Sequence, residues 1–233
     1  IEKICRYAGA RFVSDYVSAI DRARRVVVTA SGDELAYDLL SLNLGSRALG
    51  ANQTDVLQNA MVAKPFHRVH EIRARLESLA KDRSSSERSI WIVGGGAAGV
   101  ELAFAAAAVV KRHAARCTVR LVESGECLLR GYEPGIQQLA QATLKQRDVE
   151  VRLGVKVTTL SEQRVHLGDN TSHSADLVLW ITGPEPSISL AASGLQLDRR
   201  GFVLVRDTLQ SVDDERIFAV GDTATLEHAP ETP

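Results

Sequence analysis

The chain has 233 residues, enough for one large domain or for two smaller ones that each bury a core. Its 28 Lys and Arg residues nearly balance 29 Asp and Glu residues, and the net charge of -1 excludes a general basic field for nucleic acid or acidic lipid. Hydrophobic residues make up 45% of the chain and aromatic residues only 5%. This composition is typical of buried parallel strands and tightly packed helices, so we expect an α/β protein.

Cysteine usage and hydropathy indicate in which cellular compartment the protein is expected. Cys5, Cys117 and Cys127 form no closely spaced pair, which predicts neither a disulfide framework nor a zinc site and favours the reducing cytoplasm. The longest apolar run, 100–110, is interrupted by Glu101 and is too short to span a bilayer, which leaves only peripheral membrane contact open. The chain starts like the end of a helix that leads into a strand, so we interpret it as a fragment of a longer protein.

The first part of the chain contains a hairpin, a buried strand and one helix. A β-branched strand over 24–29, a turn and an apolar run over 37–45 come first. Apolar residues at helical spacing then predict a connecting helix, at Val69, Ile72, Leu76 and Leu79. The polar stretch "KDRSSSERS" that follows indicates a domain boundary.

Strands and helices alternate after that stretch. We expect strands at 90–93, 117–123 and 149–154, with helices at 97–113 and 134–147 between them. This β-α-β-α-β order predicts a parallel sheet with right-handed crossovers.

One supersecondary unit is repeated on both sides of the boundary. Asp38 stands seven residues before Gly45 in "YDLLSLNLG", and Asp176 stands seven before Gly183 in "ADLVLWITG". Both segments follow a turn rich in Gly, Asp, Asn or Ser. The repeat predicts two similar nucleotide-binding domains, with chance similarity of two amphipathic hairpins as the alternative.

The motif that carries most chemistry is "SIWIVGGGAAGVE", with Gly94, Gly96 and Gly99 in the pattern GxGxxG. In a strand-to-helix turn the first glycine permits the tight turn, the second admits a pyrophosphate and the third packs the helix against the strand. Ala97 and Ala98 would offer helix N-terminal N–H groups to the phosphates. We predict a dinucleotide site, and the alternative is a glycine turn without a ligand.

Two acidic residues accompany this motif. Glu123 closes the next strand, where a carboxylate accepts hydrogen bonds from ribose hydroxyls and repels a 2'-phosphate, so NADH is favoured over NADPH. Arg120 and Arg130 lie close in sequence and weaken that preference. Glu101 either complements the positive helix end or faces the nicotinamide pocket.

A third motif stands near the C-terminus. A strand over 217–220 ends in Gly221 and Asp222, and we expect a helix to follow. The aspartate can bind a polyhydroxyl chain or cap that helix through the N–H groups of Thr223 and Ala224.

These motifs together resemble the flavoproteins with two dinucleotide-binding domains. "LQSVDDERIFAVGDTAT" looks like their second flavin motif, and "YDLLSLNLGS", "VGGGAAGVE" and "ADLVLWITGPEP" follow the family order. The chain is most similar to the type II NADH dehydrogenase-like branch, especially the flavoprotein module joined to selenide, water dikinase. The resemblance implies that Gly45, Ser46, Gly221 and Asp222 meet FAD.

The resemblance also assigns the remaining site residues. It implies that Gly94, Gly96, Gly99 and Glu123 hold NAD(P)H, and Gly183 ends the second motif copy. Lys64 in "AKPF" either approaches the flavin or extends from a linker into solvent.

Two parts of the family pattern are missing. No GxGxxG for the FAD pyrophosphate stands before residue 94 of this sequence, and we expect that motif, and the C-terminal region that completes the flavin site and the dimer, in the longer protein of which this chain is a fragment. The cysteines supply no redox pair beside the flavin. We therefore expect a partial FAD-binding domain over 1–46 and 186–233, with an NAD(P)H-binding domain over 89–185 inserted in it after a connecting segment and helix over 47–88. Both domains are expected to be Rossmann-like with three ββα layers.

The function implied is an FAD-dependent NAD(P)H oxidoreductase that passes hydride from nicotinamide to flavin and on to a small-molecule or quinone acceptor. A homodimer through the C-terminal region and a cytoplasmic or membrane-peripheral location go with it, and no nucleic-acid partner is expected. The alternative is a non-catalytic nucleotide-binding or regulatory module. A flavin-free dehydrogenase would need a catalytic His or Lys, and His113, His166 and His173 stand in ordinary surface-like contexts.

Overall fold

A computed structural model describes residues 1–64, 68–82, 86–186 and 188–229. The helices within these residues are α1 (Glu2–Tyr7), α2 (Thr54–Asn59), α3 (Val69–Lys81), α4 (Ala97–Arg112), α5 (Pro134–Gln146) and α6 (Ile188–Ala191). The strands of the first half are β1 (Val17–Asp21), β2 (Val26–Thr29), β3 (Glu34–Ala36), β4 (Leu40–Leu42), β5 (Ser46–Ala48), β6 (Met61–Val62), β7 (Arg88–Val93) and β8 (Cys117–Val122). Those of the second half are β9 (Val149–Arg152), β10 (Val157–Ser161), β11 (Arg164–Leu167), β12 (Ser172–Ser174), β13 (Leu177–Trp180), β14 (Pro184–Pro186), β15 (Val203–Val205), β16 (Ile217–Ala219) and β17 (Ala224–Leu226).

The chain forms two compact units. The first unit comprises Ile1–Gly45 and the described part of 186–232, and the second comprises Ser46–Glu185. The second unit is therefore inserted into the first along the sequence.

A five-stranded parallel sheet in the order β6-β13-β7-β8-β9 is the centre of the second unit. Side chains alternate across it, since successive residues of a strand point to opposite faces. Ile90 and Ile92 of β7 pack among helices α3, α4 and α5. Trp91 and Val93 pack against α2 and the antiparallel sheet β10-β11-β12. The unit thus has the three ββα layers that the sequence predicts.

Helix α3 lies within the second unit. The described residues of 47–88, which the sequence analysis expects to form a connecting segment and helix, fall in the stretch Ser46–Glu185 that makes up this unit. Ile72, Leu76 and Leu79 are buried in the core that α4 shares, because the apolar face of an isolated helix would otherwise meet water. Strand β6 also connects this stretch to the second unit, since it pairs in parallel with β13.

The first unit contains the antiparallel sheet β1-β2-β3 and two parallel pairs, β4 with β16 and β15 with β17. Its core includes Ile20, Leu42, Leu190, Val203 and Ile217. The N-terminal helix is followed by Gly9 with a positive φ of 67°, and the strand predicted directly after this helix begins only at Val17.

The predicted repeat is confirmed at the level of supersecondary structure. In each unit a three-stranded antiparallel sheet precedes a strand that pairs in parallel: β4 follows β1-β2-β3, and β13 follows β10-β11-β12. Two units with the same local order therefore occur in one chain.

The helix predicted after Asp222 is wrong. Gly221–Thr223 forms a single 3₁₀ turn without a side-chain cap, and strand β17 follows directly. A strand forms here instead of a helix because β17 pairs in parallel with β15, a contact that the local sequence does not show. Among the helices described, none is long and apolar enough to cross a membrane.

Candidate functional site

A cleft of about 780 Å³ opens at the carboxyl edge of the parallel sheet in the second unit. In α/β sheets of this kind, ligands bind outside the carboxyl ends of the strands where the crossovers diverge. Here β7 continues through α4 to β8 on one side, while β13 and β6 lie on the other. The lining groups come from the ends of these strands and from the neighbouring loops: Ala48, Leu49, Gly50, Gln53, Ala63, Lys64, Val93, Gly94, Gly95, Gly96, Ala97, Ala98, Val122, Glu123, Ser124, Leu129, Arg130, Tyr132, Val155, Lys156, Val157, Thr158, Trp180, Ile181, Thr182, Gly183 and Pro184.

Two glycines form a tight strand-to-helix turn at the cleft floor. Gly94 has φ +117°, and a Cβ there would lie 2.3 Å from the carbonyl oxygen of Ile181. A Cβ on Gly99 would lie 1.9 Å from the carbonyl oxygen of Gly94. Neither position leaves room for a side chain, so both glycines allow α4 to begin directly against the sheet.

Gly96 differs from these two because the space above it is open. It adopts φ -72° and ψ -178°, and no heavy atom lies within 4 Å of its ideal Cβ position. Gly96 precedes α4, whose first residues Ala97 and Ala98 are exposed in the cleft. The first N–H groups of a helix lack intrahelical acceptors and attract anions. The open space and these donors together fit a phosphate group.

Glu123 is held by main-chain donors at the end of β8. Its Oε2 accepts the N–H of Gly95 at 2.6 Å, and its Oε1 accepts the N–H of Gly125 at 2.6 Å. The hydroxyl of Ser124 donates to Oε1 at 3.2 Å. Both carboxylate oxygens are thereby oriented beside the cleft, and Oε2, which accepts one hydrogen bond, keeps a lone pair for a further donor.

Arg130 and Lys156 line the same cleft as Glu123, and both are exposed. Arg120 does not line it. Its guanidinium donates to Glu150 at 2.7 Å and lies over the ring of the buried Trp91. Of the two arginines that weaken the predicted cofactor preference, only Arg130 is therefore placed to act on a ligand in this cleft.

The other end of the cleft lies beside β13 and β6. The Lys64 ammonium donates to the Ser46 hydroxyl at 2.6 Å. The carbonyl oxygen of Leu49 accepts Trp180 Nε1–H at 2.9 Å and the Thr182 hydroxyl at 2.7 Å. Gly183 accepts the N–H of Leu49 at 2.8 Å. These bonds fix a short segment, Ser46–Leu49, along this end.

Comparison with known proteins identifies the family. Residues 6–232 match the family described as pyridine nucleotide-disulphide oxidoreductase. The chain belongs to this family. The pyridine nucleotide-disulphide oxidoreductases use FAD and NAD(P)H as cofactors.

Individual relatives of the family agree with this membership. The type II NADH:quinone oxidoreductase of Haemophilus influenzae is 28% identical over 221 residues, which cover 82% of this chain and 50% of that protein. An FAD-dependent pyridine nucleotide-disulphide oxidoreductase from Desulfovibrio vulgaris superposes with a TM-score of 0.69 at 28% identity, over 94% of this chain and 55% of that one. A ferredoxin reductase from Rhodopseudomonas palustris has a TM-score of 0.77 at 24% identity, over 97% and 54% of the two chains, and shows the fold alone.

These matches confirm the predicted α/β class and the likeness to type II NADH dehydrogenases. The predicted likeness to a module joined to selenide, water dikinase stays a prediction. The chain spans about half the length of the relatives it matches.

The residues predicted to meet the flavin lie in both units. Gly45 and Asp222 follow β4 and β16 of the first unit, and these strands are parallel, so both residues are at one sheet edge. Gly45 has φ +67° with open space at its Cβ position, and Asp222 is exposed. Gly221 has φ +59° beside Asn43. An exposed carboxylate and an uncrowded glycine therefore share one sheet edge of the first unit, whereas Ser46 belongs to the second unit.

The two roles predicted for Glu101 remain predictions. Glu101 is exposed on α4, in its second turn, and it is not among the groups that line the cleft. Gly183 does line the cleft, with open space at its Cβ position.

Sequence reasoning did not single out several lining residues. Gly95 has no room for a Cβ, which would lie 2.7 Å from Leu128 and 2.9 Å from Glu123, and the run of three glycines could have indicated it. Lys156 follows the third parallel strand, so its place at the carboxyl edge was also open to prediction. Leu49 and Gln53 carry no local signal, because only the crossover beside β13 brings them to the cleft. Within the described residues, no group of His, Cys, Asp and Glu side chains could hold a metal ion.

Proposed function

We propose that the protein is an FAD-dependent NAD(P)H oxidoreductase and that its second unit binds the NAD(P)H. The observation that carries this proposal is the cleft at the carboxyl edge of the sheet, where open space over Gly96 meets the first N–H groups of α4. Glu123 stands at the end of the adjacent strand, within the same cleft. A pyrophosphate and an adjoining ribose need these two features side by side.

Each residue of this cleft has a separate task. Gly96 leaves room for the pyrophosphate, and Ala97 and Ala98 donate main-chain N–H groups to it. Glu123 accepts hydrogen bonds from the ribose hydroxyls, with its carboxylate already oriented by Gly95 and Gly125. Residues oriented before the ligand arrives lose little entropy on binding.

We further propose that NADH is preferred over NADPH. The Glu123 carboxylate would repel a 2'-phosphate in the position where it accepts the ribose hydroxyls. Arg130 and Lys156 in the same cleft reduce this repulsion, so the preference is expected to be moderate rather than absolute. Replacement of Glu123 by Gln should raise the affinity for NADPH relative to NADH.

The flavin part of the proposal rests on the first unit. Asp222 and Gly45 would hold part of the FAD at the edge that β4 and β16 share. The bound cofactors supply the redox chemistry, a hydride transfer from nicotinamide to flavin, and the chain supplies position and charge. The onward acceptor is proposed to be a small molecule or a quinone, as in the name of the Haemophilus influenzae relative.

The test compares the intact protein with its Gly96→Ala variant in anaerobic titrations with NADH, followed by the flavin absorbance. Alanine fits the backbone of Gly96 and meets no atom, so only a helix-cap penalty of about 1 kcal/mol or less is expected in stability. Its methyl group would occupy the phosphate space. We expect wild-type flavin to bleach with NADH, and the variant to need about tenfold more NADH, as for loss of one good phosphate contact.

Two results would count against the proposal. An intact protein that carries no flavin, or one whose flavin stays oxidised in NADH, is not this oxidoreductase. Binding of NADH without bleaching would instead support a non-catalytic nucleotide-binding module.

A further inference from the structure

The loop between β8 and α5 contains a buried leucine in an unusual backbone conformation. Leu129 has φ +52°, in the left-handed region that a bulky residue rarely adopts. Its side chain packs in the same core cluster as Ile90 and Ile92. Backbone strain of this kind persists only where the surrounding contacts hold it, and it is frequent at ligand-binding sites. Leu129 lines the cleft, so the contacts that hold it there bear on ligand binding.

Gln137 of α5 holds the turn that contains Leu129. Its Nε2 donates to the carbonyl oxygen of Leu129 at 3.2 Å and to that of Tyr132 at 3.0 Å. The N–H of Tyr132 donates to the same Leu129 carbonyl at 3.0 Å. Because both groups that face the side chain are acceptors, only the NH₂ end of the amide can face them. The Gln137 amide therefore joins both ends of the turn 129–132 to helix α5.

The main chain of Leu129 is bonded in turn to the glycine-rich turn that precedes α4. The N–H of Leu129 donates to the carbonyl oxygen of Gly95 at 2.9 Å. The N–H of Gly95 donates to Glu123 Oε2 at 2.6 Å. A series of hydrogen bonds through main-chain groups therefore connects the Gln137 amide with the Glu123 carboxylate.

We propose that Gln137 is a positioning residue of the cofactor cleft: by holding Leu129 in its left-handed conformation it fixes Gly95, and through Gly95 the carboxylate that accepts the ribose hydroxyls. This inference rests on the proposed function, in which Glu123 meets the adenosine ribose of NAD(P)H. Gln137 is not among the described groups that line the cleft, so it acts without touching the cofactor. The ligand feature that it helps to select is the ribose 2'-hydroxyl.

The experiment compares ADP with 2'-deoxy-ADP, since these two ligands differ only in the hydroxyl that Glu123 would accept. Binding to the intact protein is measured by calorimetry, with FAD present in excess so that the flavin site is occupied. Gln137→Met removes the donor at nearly the same side-chain length, and Gln137→Lys keeps a donor. Gln141→Met is the matched control, because Gln141 is an exposed glutamine one turn further along α5. The ratio of the two dissociation constants cancels general effects of charge and stability.

Wild-type protein should bind ADP about tenfold more tightly than 2'-deoxy-ADP, as for one hydrogen bond to a charged group. Gln137→Met should reduce this ratio to about threefold or less, because Glu123 is then less well oriented. Gln141→Met should keep the wild-type ratio, and Gln137→Lys should recover part of it. In protein without nucleotide, the N–H of Leu129 should exchange with solvent faster in Gln137→Met, while the N–H groups of β8 keep their wild-type rates.

Other outcomes overturn the inference in recognisable ways. A wild-type ratio in Gln137→Met, even with both ligands bound more weakly, would leave Gln137 a structural role only. Unchanged exchange at Leu129 would mean that other contacts hold the turn. A wild-type protein that binds the two ligands equally would leave no ribose contact for Gln137 to position. If wild-type protein binds neither ADP nor NADH, the proposed function itself has failed.

Discussion

At the scale of the residue, the three glycines of the GxGxxG motif act by different physical means. Gly94 is required by its positive φ and by the carbonyl of Ile181, and Gly99 by the carbonyl of Gly94. Gly96 is required by neither, since its backbone is extended and its surroundings are open. Gly94 and Gly99 therefore serve the fold, and Gly96 leaves space that a ligand can use.

This difference predicts the effect of Gly94→Ala on stability. The new Cβ would approach the Ile181 carbonyl oxygen to 2.3 Å in a backbone conformation that L side chains rarely adopt. We expect the free energy of unfolding to fall by about 2 kcal/mol or more, through overpacking and backbone strain. Urea denaturation of Gly94→Ala beside Gly96→Ala measures the contrast, and equal losses in the two variants would contradict it.

At the scale of the element, an ion pair joins the segments where the chain enters and leaves the second unit. Arg47 of β5 donates to Glu185 Oε1 at 3.0 Å, and Gly50 N–H donates to Oε2 at 3.4 Å. The hydrogen bond from Arg47 lowers the pKa of Glu185 below its ordinary value of 4.5. The Glu185 carboxylate, where the chain leaves this unit, thus accepts hydrogen bonds from two residues of the segment where the chain enters it.

The lowered pKa of Glu185 predicts how the stabilising effect of the Arg47–Glu185 ion pair depends on pH. A carboxyl group whose pKa is lower in the folded state contributes stability above its unfolded value, and that contribution is lost as the pH falls through the folded pKa. We expect the Arg47–Glu185 pair to stabilise the protein above pH 4.5 and to lose this effect at lower pH. Unfolding curves of the wild type and Glu185→Gln between pH 3 and pH 7 should converge as the pH falls. Curves that stay parallel over that range would show that the pair has no such effect.

At the scale of the whole molecule, the two units differ in how the sequence builds them. All buried residues of the two clusters on the parallel sheet fall within Ser46–Glu185, a continuous stretch of chain. The first unit instead joins β4 to β16 across the inserted unit, so its contacts are distant in sequence. Contacts between distant segments need a larger loss of chain entropy before they form.

From this difference we predict that residues 46–185, produced alone, form a folded protein. The core of this unit is complete within that stretch, and a chain of this length buries enough surface for independent stability. Circular dichroism should show a cooperative thermal transition, and amide exchange should be slowest in β7, β8 and β13. Residues 1–45 alone should remain unfolded, because β4 has lost its partner β16. A non-cooperative transition of the 46–185 piece would contradict the prediction.

Local patterns were sufficient for much of the second unit. Strand β7, helix α4, strand β8, helix α5 and strand β9 follow the predicted order within two residues at each end, since apolar periodicity and glycine placement are local properties. The same holds for helix α3, whose apolar residues predict its start and length. Its membership of the core could not be predicted, because the helices and strands that cover it lie elsewhere in the sequence.

The sequence by itself determined the strand-glycine-helix turn at Gly94–Gly99, the carboxylate at Glu123 and the repeated order of strands. Each of these depends on residues that are neighbours along the chain. Only the tertiary structure decided that residues 47–88 join the second unit, that a strand follows Asp222 and that Lys64 and Leu49 line the cleft. These features depend on strand pairing: β6 pairs with β13 at one end of the cleft, and β17 pairs with β15 in the first unit. Such pairing leaves no periodic signal in the sequence of either strand, because the partner strand lies elsewhere along the chain.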